Sequence, residues 1–209
     1  MSALNVVPEF HAESWSRVSA IAELAVIFEP AMQVCSWQRD IDNAITSYLK
    51  DLDGLGTVQM REVLKTNERA QLADLPAGRG LELLRDDVAL LTEILCELVG
   101  CPSVGLRFAS VDNAMCPRWH VDRVPVRLLC TYLGVGTEWL EDQSVAKSKL
   151  SDPEIAEGTY QRAAIGDVLL LKGALWQDNE GLGAIHRSPA IVPDAQRRML
   201  LTLDPLWSD

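Results

Sequence analysis

The sequence predicts an α+β fold, with helices in the first hundred residues packed on a C-terminal antiparallel sandwich or barrel. Three observations predict it. Apolar residues recur at three- and four-residue spacing before Gly100 and not strongly after it. Beyond Cys101 the apolar runs shorten to strand length and are bounded by Gly, Pro and Asp. Helices first and strands second is an α+β order, and a jelly roll is one way such strands protect their edges. With 209 residues the chain can bury a real core as one compact unit, mostly helical over 1–100 and β over 101–209.

Each element follows from local pattern. "SWSRVSAIAELAVIFEP" reads as a helix ended near Pro30. "DIDNAITSYLKDL" places Ile41, Ile45, Tyr48, Leu49 and Leu52 on one helical face. "TNERAQLADLPAGRG" reads as a surface loop with one short helical turn. In "GRGLELLRDDVALLTEILCELVG" the stripe is Leu81, Leu84, Val88, Leu91, Ile94 and Leu98, and Gly100 is the expected stop. Five strands follow: "VGLRFASV", "VRLLCTYLG", "DVLLLKG", "GAIHRS" and "RRMLLTLD". A helical stretch is expected only in "DPEIAEGTYQRA". "GVGTEWL" reads as a turn between strands, with Glu138 exposed or supporting a site.

Composition narrows the function classes. Hydrophobic residues at 48% and charged residues at 23% describe an ordinary globular protein rather than a disordered one. A net charge of −11 repels phosphate backbones and anionic membranes, so nucleic acid is not an expected partner. Against that background the Arg118/Arg123/Arg127 group and the Arg197–Arg198 pair hint at an anionic ligand. No run approaches the about 20 apolar residues of a membrane span, and "MSALNVVPEFHAESW" is no signal peptide. Five cysteines, an odd number without CxxC, favour a reducing compartment, so a cytoplasmic location is expected.

One constellation carries chemistry. Residues i and i+2 of a strand share a face, so His120 and Asp122 can reach one metal ion. Downstream come the Gly166–Asp167 turn, a strand, a polar loop, His186 on a further strand, and Arg197 and Arg198 about a dozen residues later. Two imidazoles and a carboxylate on one face of an octahedron bind ferrous iron and leave three positions open. Those positions suit dioxygen and a bidentate oxo-acid, and an arginine fork suits the far carboxylate of that acid. Iron alone does not call for the arginine; 2-oxoglutarate does.

"CPRWHVDRVPVRLLCTYLGVGTEW", "GDVLLLKG" and "HRSP…RRMLLTLD" resemble the bacterial family catalogued as domain of unknown function 1826. That resemblance implies a metal-homeostasis setting. The ordered His-x-Asp, Gly-Asp, His and Arg pattern is similar to the 2-oxoglutarate oxygenase superfamily. It implies a double-stranded β-helix (a jelly-roll or cupin-like barrel) with Fe(II) and 2-oxoglutarate as cofactors, and His120, Asp122 and His186 as metal ligands. Arg197 and Arg198 alternate faces, so only one can enter the barrel; the resemblance implies the second, Arg198, as the oxoglutarate clamp in preference to Arg197. Tyr132 and Ser188 are candidate supporting donors, and Arg127 a second anion-binding candidate. The substrate, a small molecule or a protein, is open.

The competing readings are plainer. The same ligands on a cupin-like barrel would hold zinc without oxygenase activity, and Cys116, four residues before His120, would then point at the metal. Trp119, Trp139 and Trp176 either line a substrate pocket or pack barrel ends. His11 has no partner pattern.

Overall fold

The structure, a computed structural model, describes residues 13–52, 57–111, 116–152, 155, 158–190 and 197–207. His11, Pro193, Asp194 and four residues of the expected helix over 152–163 lie outside them. In chain order the elements are β1 (Trp15–Val18), a 3-10 helix (Ile21–Phe28), β2 (Val34–Trp37), α1 (Asn43–Asp51), β3 (Gln59–Lys65) and α2 (Arg79–Val99). Then come β4 (Ser103–Val111), β5 (Val126–Leu133), β6 (Glu138–Leu140), a 3-10 turn (Lys147–Lys149), β7 (Tyr160–Arg162), β8 (Val168–Lys172), β9 (His186–Arg187) and β10 (Arg198–Leu206).

The strands form two sheets. The larger has the order β1-β2-β8-β5-β10-β4-β3, antiparallel except for the β1–β2 pair. The smaller has the order β7-β6-β9, and a backbone bridge between His120 and His186 extends it. From β4 onward the chain passes between them: β4 large, His120 small, β5 large, β6 and β7 small, β8 large, β9 small, β10 large. This alternation is that of a jelly roll.

Alternation along each strand gives the larger sheet two different faces. Leu128, Cys130 and Tyr132 of β5, with Leu201 and Leu203 of β10, pack in the core that α2 covers. Arg127, Leu129 and Thr131 of β5, with Arg198, Leu200 and Thr202 of β10, turn toward the smaller sheet. The α2 stripe is buried through Leu81, Leu84, Val88, Leu91, Ile94 and Leu95, with Leu98 half-buried. Each such side chain taken from water contributes about 1.5–3 kcal/mol. Gly100 ends the helix in the left-handed region at φ 65°, where L side chains are strained.

The first hundred residues are more mixed than the expected helical region. Three of their strands, β1, β2 and β3, belong to the larger sheet. The expected helix over 14–30 is instead β1 followed by a 3-10 helix. Its buried residues, Leu24 and Ile27, lie three apart, which suits three residues per turn. Glu23 accepts the N–H groups of Ser19 and Ala20 at 2.9 Å and fixes the start of that turn. α1 begins after Asp42, whose carboxylate accepts the Ala44 N–H at 2.8 Å. The end of the expected 152–163 helix is strand β7. Among the described residues no helix is long and apolar enough to cross a membrane.

Candidate metal centre

Backbone pairing places the two histidines. His120 N–H donates to the His186 carbonyl and His186 N–H to the His120 carbonyl, both at 3.0 Å. Their rings stand 4.4 Å apart between centroids. Asp122 lies beyond the bridge rather than on a strand, which differs from the expected shared strand face. The Asp122 carbonyl accepts the Ala174 N–H at 2.8 Å, and this ties the segment to the end of β8.

Hydrogen bonding sets the imidazole tautomers. Nδ1 of His120 lies 2.9 Å from the Arg118 carbonyl, and Nδ1 of His186 lies 2.9 Å from the Ala184 carbonyl. A carbonyl only accepts, so each Nδ1 is the donor, and in the neutral ring Nε2 keeps its lone pair. Those Nε2 atoms face Asp122, at 3.6 Å from Oδ1 for His120 and 3.4 Å from Oδ2 for His186. One ligand atom from each residue lies within 4.8 Å of the others. Three electron-pair donors turned on one point form a set that a divalent cation satisfies.

The charges fit that role. Burial, then the neighbouring His186, lowers the His120 pKa below its ordinary 6.5, so the ring is neutral at pH 7. Burial works to raise the Asp122 pKa, but His186, Arg127 and His120 outweigh it and hold the carboxyl well below the usual range. Arg127 donates to Asp122 Oδ2 at 2.5 Å and to both oxygens of Asp204 at 2.6 and 2.8 Å.

The same cavity, of about 100 Å³, also reaches Arg198, Ser188 and Cys116. Arg198 is 2% exposed, and its guanidinium donates to the hydroxyls of Thr131, at 3.4 Å, and Thr137. Its Nε has no partner among the described residues. Burial pushes its pKa down to about 10, with Glu138 opposing. The turn after β5 sets its position: Gly134, at φ 79°, would bring a Cβ within 2.9 Å of the Arg198 Cα.

Several expected residues lie elsewhere. Arg197 is absent from the cavity lining and half-buried. Tyr132 is on the opposite face of β5, where its hydroxyl donates to Asp87 at 2.5 Å, so it cannot support the site. Arg127 lines the cavity, but with its fork engaged by Asp204 and Asp122 it orients the carboxylate rather than waiting for a ligand. Trp139 is fully buried between the sheets, edge-on to Trp15. Trp176 packs on Phe28 under the Lys172 ammonium, away from the cavity. Trp119 alone of the three lines a cleft beside His120. Cys116 is exposed and lines the cavity, but its sulfur is not in the three-residue ligand group.

Thr131, Thr137 and Glu138 carry no sequence signal of their own. Glu138, 2% exposed, accepts from Arg162 at 2.5 Å and Arg187 at 2.7 Å, which excludes the exposed one of its two expected alternatives. Arg187 in turn lies 4.0 Å over the Trp119 ring.

A family model described as protein of unknown function (DUF1826) matches residues 19–204. The chain belongs to this family. No curated protein matches it. Among solved structures, the DUF1826 chain superimposes on dioxygenase for auxin oxidation 1 from Arabidopsis thaliana, in its 2-oxoglutarate complex, with TM-score 0.50. The two are 10% identical over 95% of this chain and 94% of that one. A prolyl-4-hydroxylase of Pseudomonas putida gives 0.50 at 10% identity, over 91% of this chain and all of its own. The Fe(II)/α-ketoglutarate-dependent dioxygenase TqaL gives 0.51 at 14% identity, over 88% and 85%. At these identities the likeness is one of fold: the DUF1826 chain is similar to the jelly rolls of the 2-oxoglutarate oxygenases.

Proposed function

We propose that this protein is a cytoplasmic non-haem Fe(II)/2-oxoglutarate-dependent oxygenase of hydroxylase type. One observation carries the reading. Two Nε2 lone pairs and a carboxylate converge in the cavity that also holds a buried arginine with an unpartnered Nε. The fold likeness to oxygenases agrees with it.

In this reading His120, Asp122 and His186 would hold the iron, which when bound supplies oxygen activation coupled to decarboxylation of 2-oxoglutarate. The protein's own share is positional. The Arg118 and Ala184 carbonyls fix both imidazoles with Nε2 inward. Arg127 holds the Asp122 carboxylate in place. Arg198, steered by the Thr131 and Thr137 hydroxyls, receives the far carboxylate of the co-substrate. Burial of His186 and Arg198 between the sheets strengthens the interactions of those two groups.

The test is an anaerobic titration of metal-free protein with ferrous iron and 2-oxoglutarate. The expected result is the weak visible charge-transfer band of the chelate, lost in His186→Ala. Tight zinc binding with no such band would overturn the proposal in favour of a non-redox metal protein in metal homeostasis.

A further inference from the structure

The cleft on the outer side of His120 has a composition that the protein's overall charge does not predict. It encloses about 590 Å³, within the range of small-molecule sites. Its lining carries three cations, Arg118, Arg123 and Lys147, and no carboxylate among the described residues. The whole chain has 30 acidic residues against 19 lysines and arginines, so an all-basic cleft runs against its trend. Two other cationic side chains near the centre are already paired, Arg127 with Asp204 and Arg187 with Glu138, while Arg198 lies in the inner cavity on threonine hydroxyls. The cleft cations form no ion pair among the described residues.

The lining also carries apolar side chains, Trp119 at 4% exposure, Val121, Leu150 and Leu175. His120 lines both this cleft and the inner cavity. A ligand held in the cleft therefore touches a residue that would itself hold the metal.

We propose that this cleft binds the primary substrate, and that the substrate is a small organic anion: an apolar body carrying a carboxylate or phosphate. Two guanidinium forks and an ammonium beside apolar side chains recognise such a molecule through charge-assisted hydrogen bonds and apolar contact. The negative field of the remaining surface repels anions elsewhere and leaves the cleft as the place they collect. Calling the bound anion the substrate rests on the oxygenase reading; the anion preference does not.

The test uses calorimetry on the metal-free full-length protein with four probes sharing one body: naphthylacetate, naphthylmethyl phosphate, naphthylmethanol and naphthylmethylamine. The expected result is binding of one or both acids, with the alcohol and the amine much weaker. The tighter acid identifies the head group. Arg118→Ala combined with Arg123→Ala should weaken acid binding by about tenfold or more and flatten its salt dependence. Arg61→Ala with Lys65→Ala, which makes the same charge change on exposed β3, should leave it unchanged. The proposal is overturned if the alcohol binds as well as the acids, if affinity survives the cleft variant, or if no acid binds at millimolar concentration. A preference for polyglutamate over the small acids overturns the small-molecule class. Acid binding without the iron–oxoglutarate band would sink the oxygenase and keep the cleft, and the reverse pattern would sink only the cleft.

Discussion

Arg39 and Arg198 are both withdrawn from water, on opposite faces of the larger sheet. On the helical face Arg39 donates to both oxygens of Asp87, at 2.5 and 2.8 Å, and to the Gly166 carbonyl at 2.9 Å. Burial opposes its charge, but Asp87 outweighs that and its pKa rises. On the face toward the smaller sheet, Arg198 meets two threonine hydroxyls and no carboxylate within ion-pair distance among the described residues, and burial lowers its pKa to about 10. Removing a cation from water is costly unless an anion and full hydrogen bonding repay it. The first arginine is repaid within the fold. The second has no counter-charge among the described residues, and such uncompensated groups are characteristic of binding sites.

The largest effect expected from this contrast is at the paired arginine. Asp87→Ala leaves Arg39 buried without its counter-charge and should cost about 3–5 kcal/mol in urea unfolding. A cost below about 1 kcal/mol would mean that water reaches the pair and that the contrast fails.

Arg198→Met should move stability the other way. Replacing an uncompensated buried cation by an apolar chain of similar length should raise the unfolding free energy of the metal-free protein by roughly 1–2 kcal/mol. A loss of stability would show that the threonine contacts satisfy the guanidinium after all.

The smallest effect concerns pH. The unfolded His120 titrates near 6.5 and the folded one lower. Between those values the unfolded state binds more protons, so stability falls as pH drops through the window. Above it the imidazole is already neutral, and ferrous affinity should change by less than about twofold between pH 8 and pH 7 before declining in acid. Metal titrations at stepped pH check this; a steep change near neutrality would contradict it.

Much of this was legible in the chain. The α2 stripe and Gly100 mark a helix because 21 residues repeat one period. His120, Asp122 and His186 were readable as an ordered set, and strand alternation separated Arg198 from Arg197. Alternation also bears on Tyr132: it stands five residues from Arg127 on β5, an odd spacing that puts the two on opposite faces. The rest depends on distant partners. β9 has only two residues, since its extent is set by pairing with β6 and His120 rather than by local propensity. Arg127 finds Asp204 77 residues away, and Lys147 joins Arg118 and Arg123 only through folding. Over 14–30 a single helical pattern concealed a strand and a 3-10 turn, which share its apolar content.

The most direct test of the central claim is calorimetric binding of 2-oxoglutarate to anaerobic, Fe(II)-loaded protein, wild type beside Arg198→Met. The account predicts that both bind iron alike and that the variant loses about a hundredfold or more in 2-oxoglutarate affinity, the scale of an unpaired buried charge–carboxylate contact. Equal 2-oxoglutarate affinity in the two proteins would contradict it.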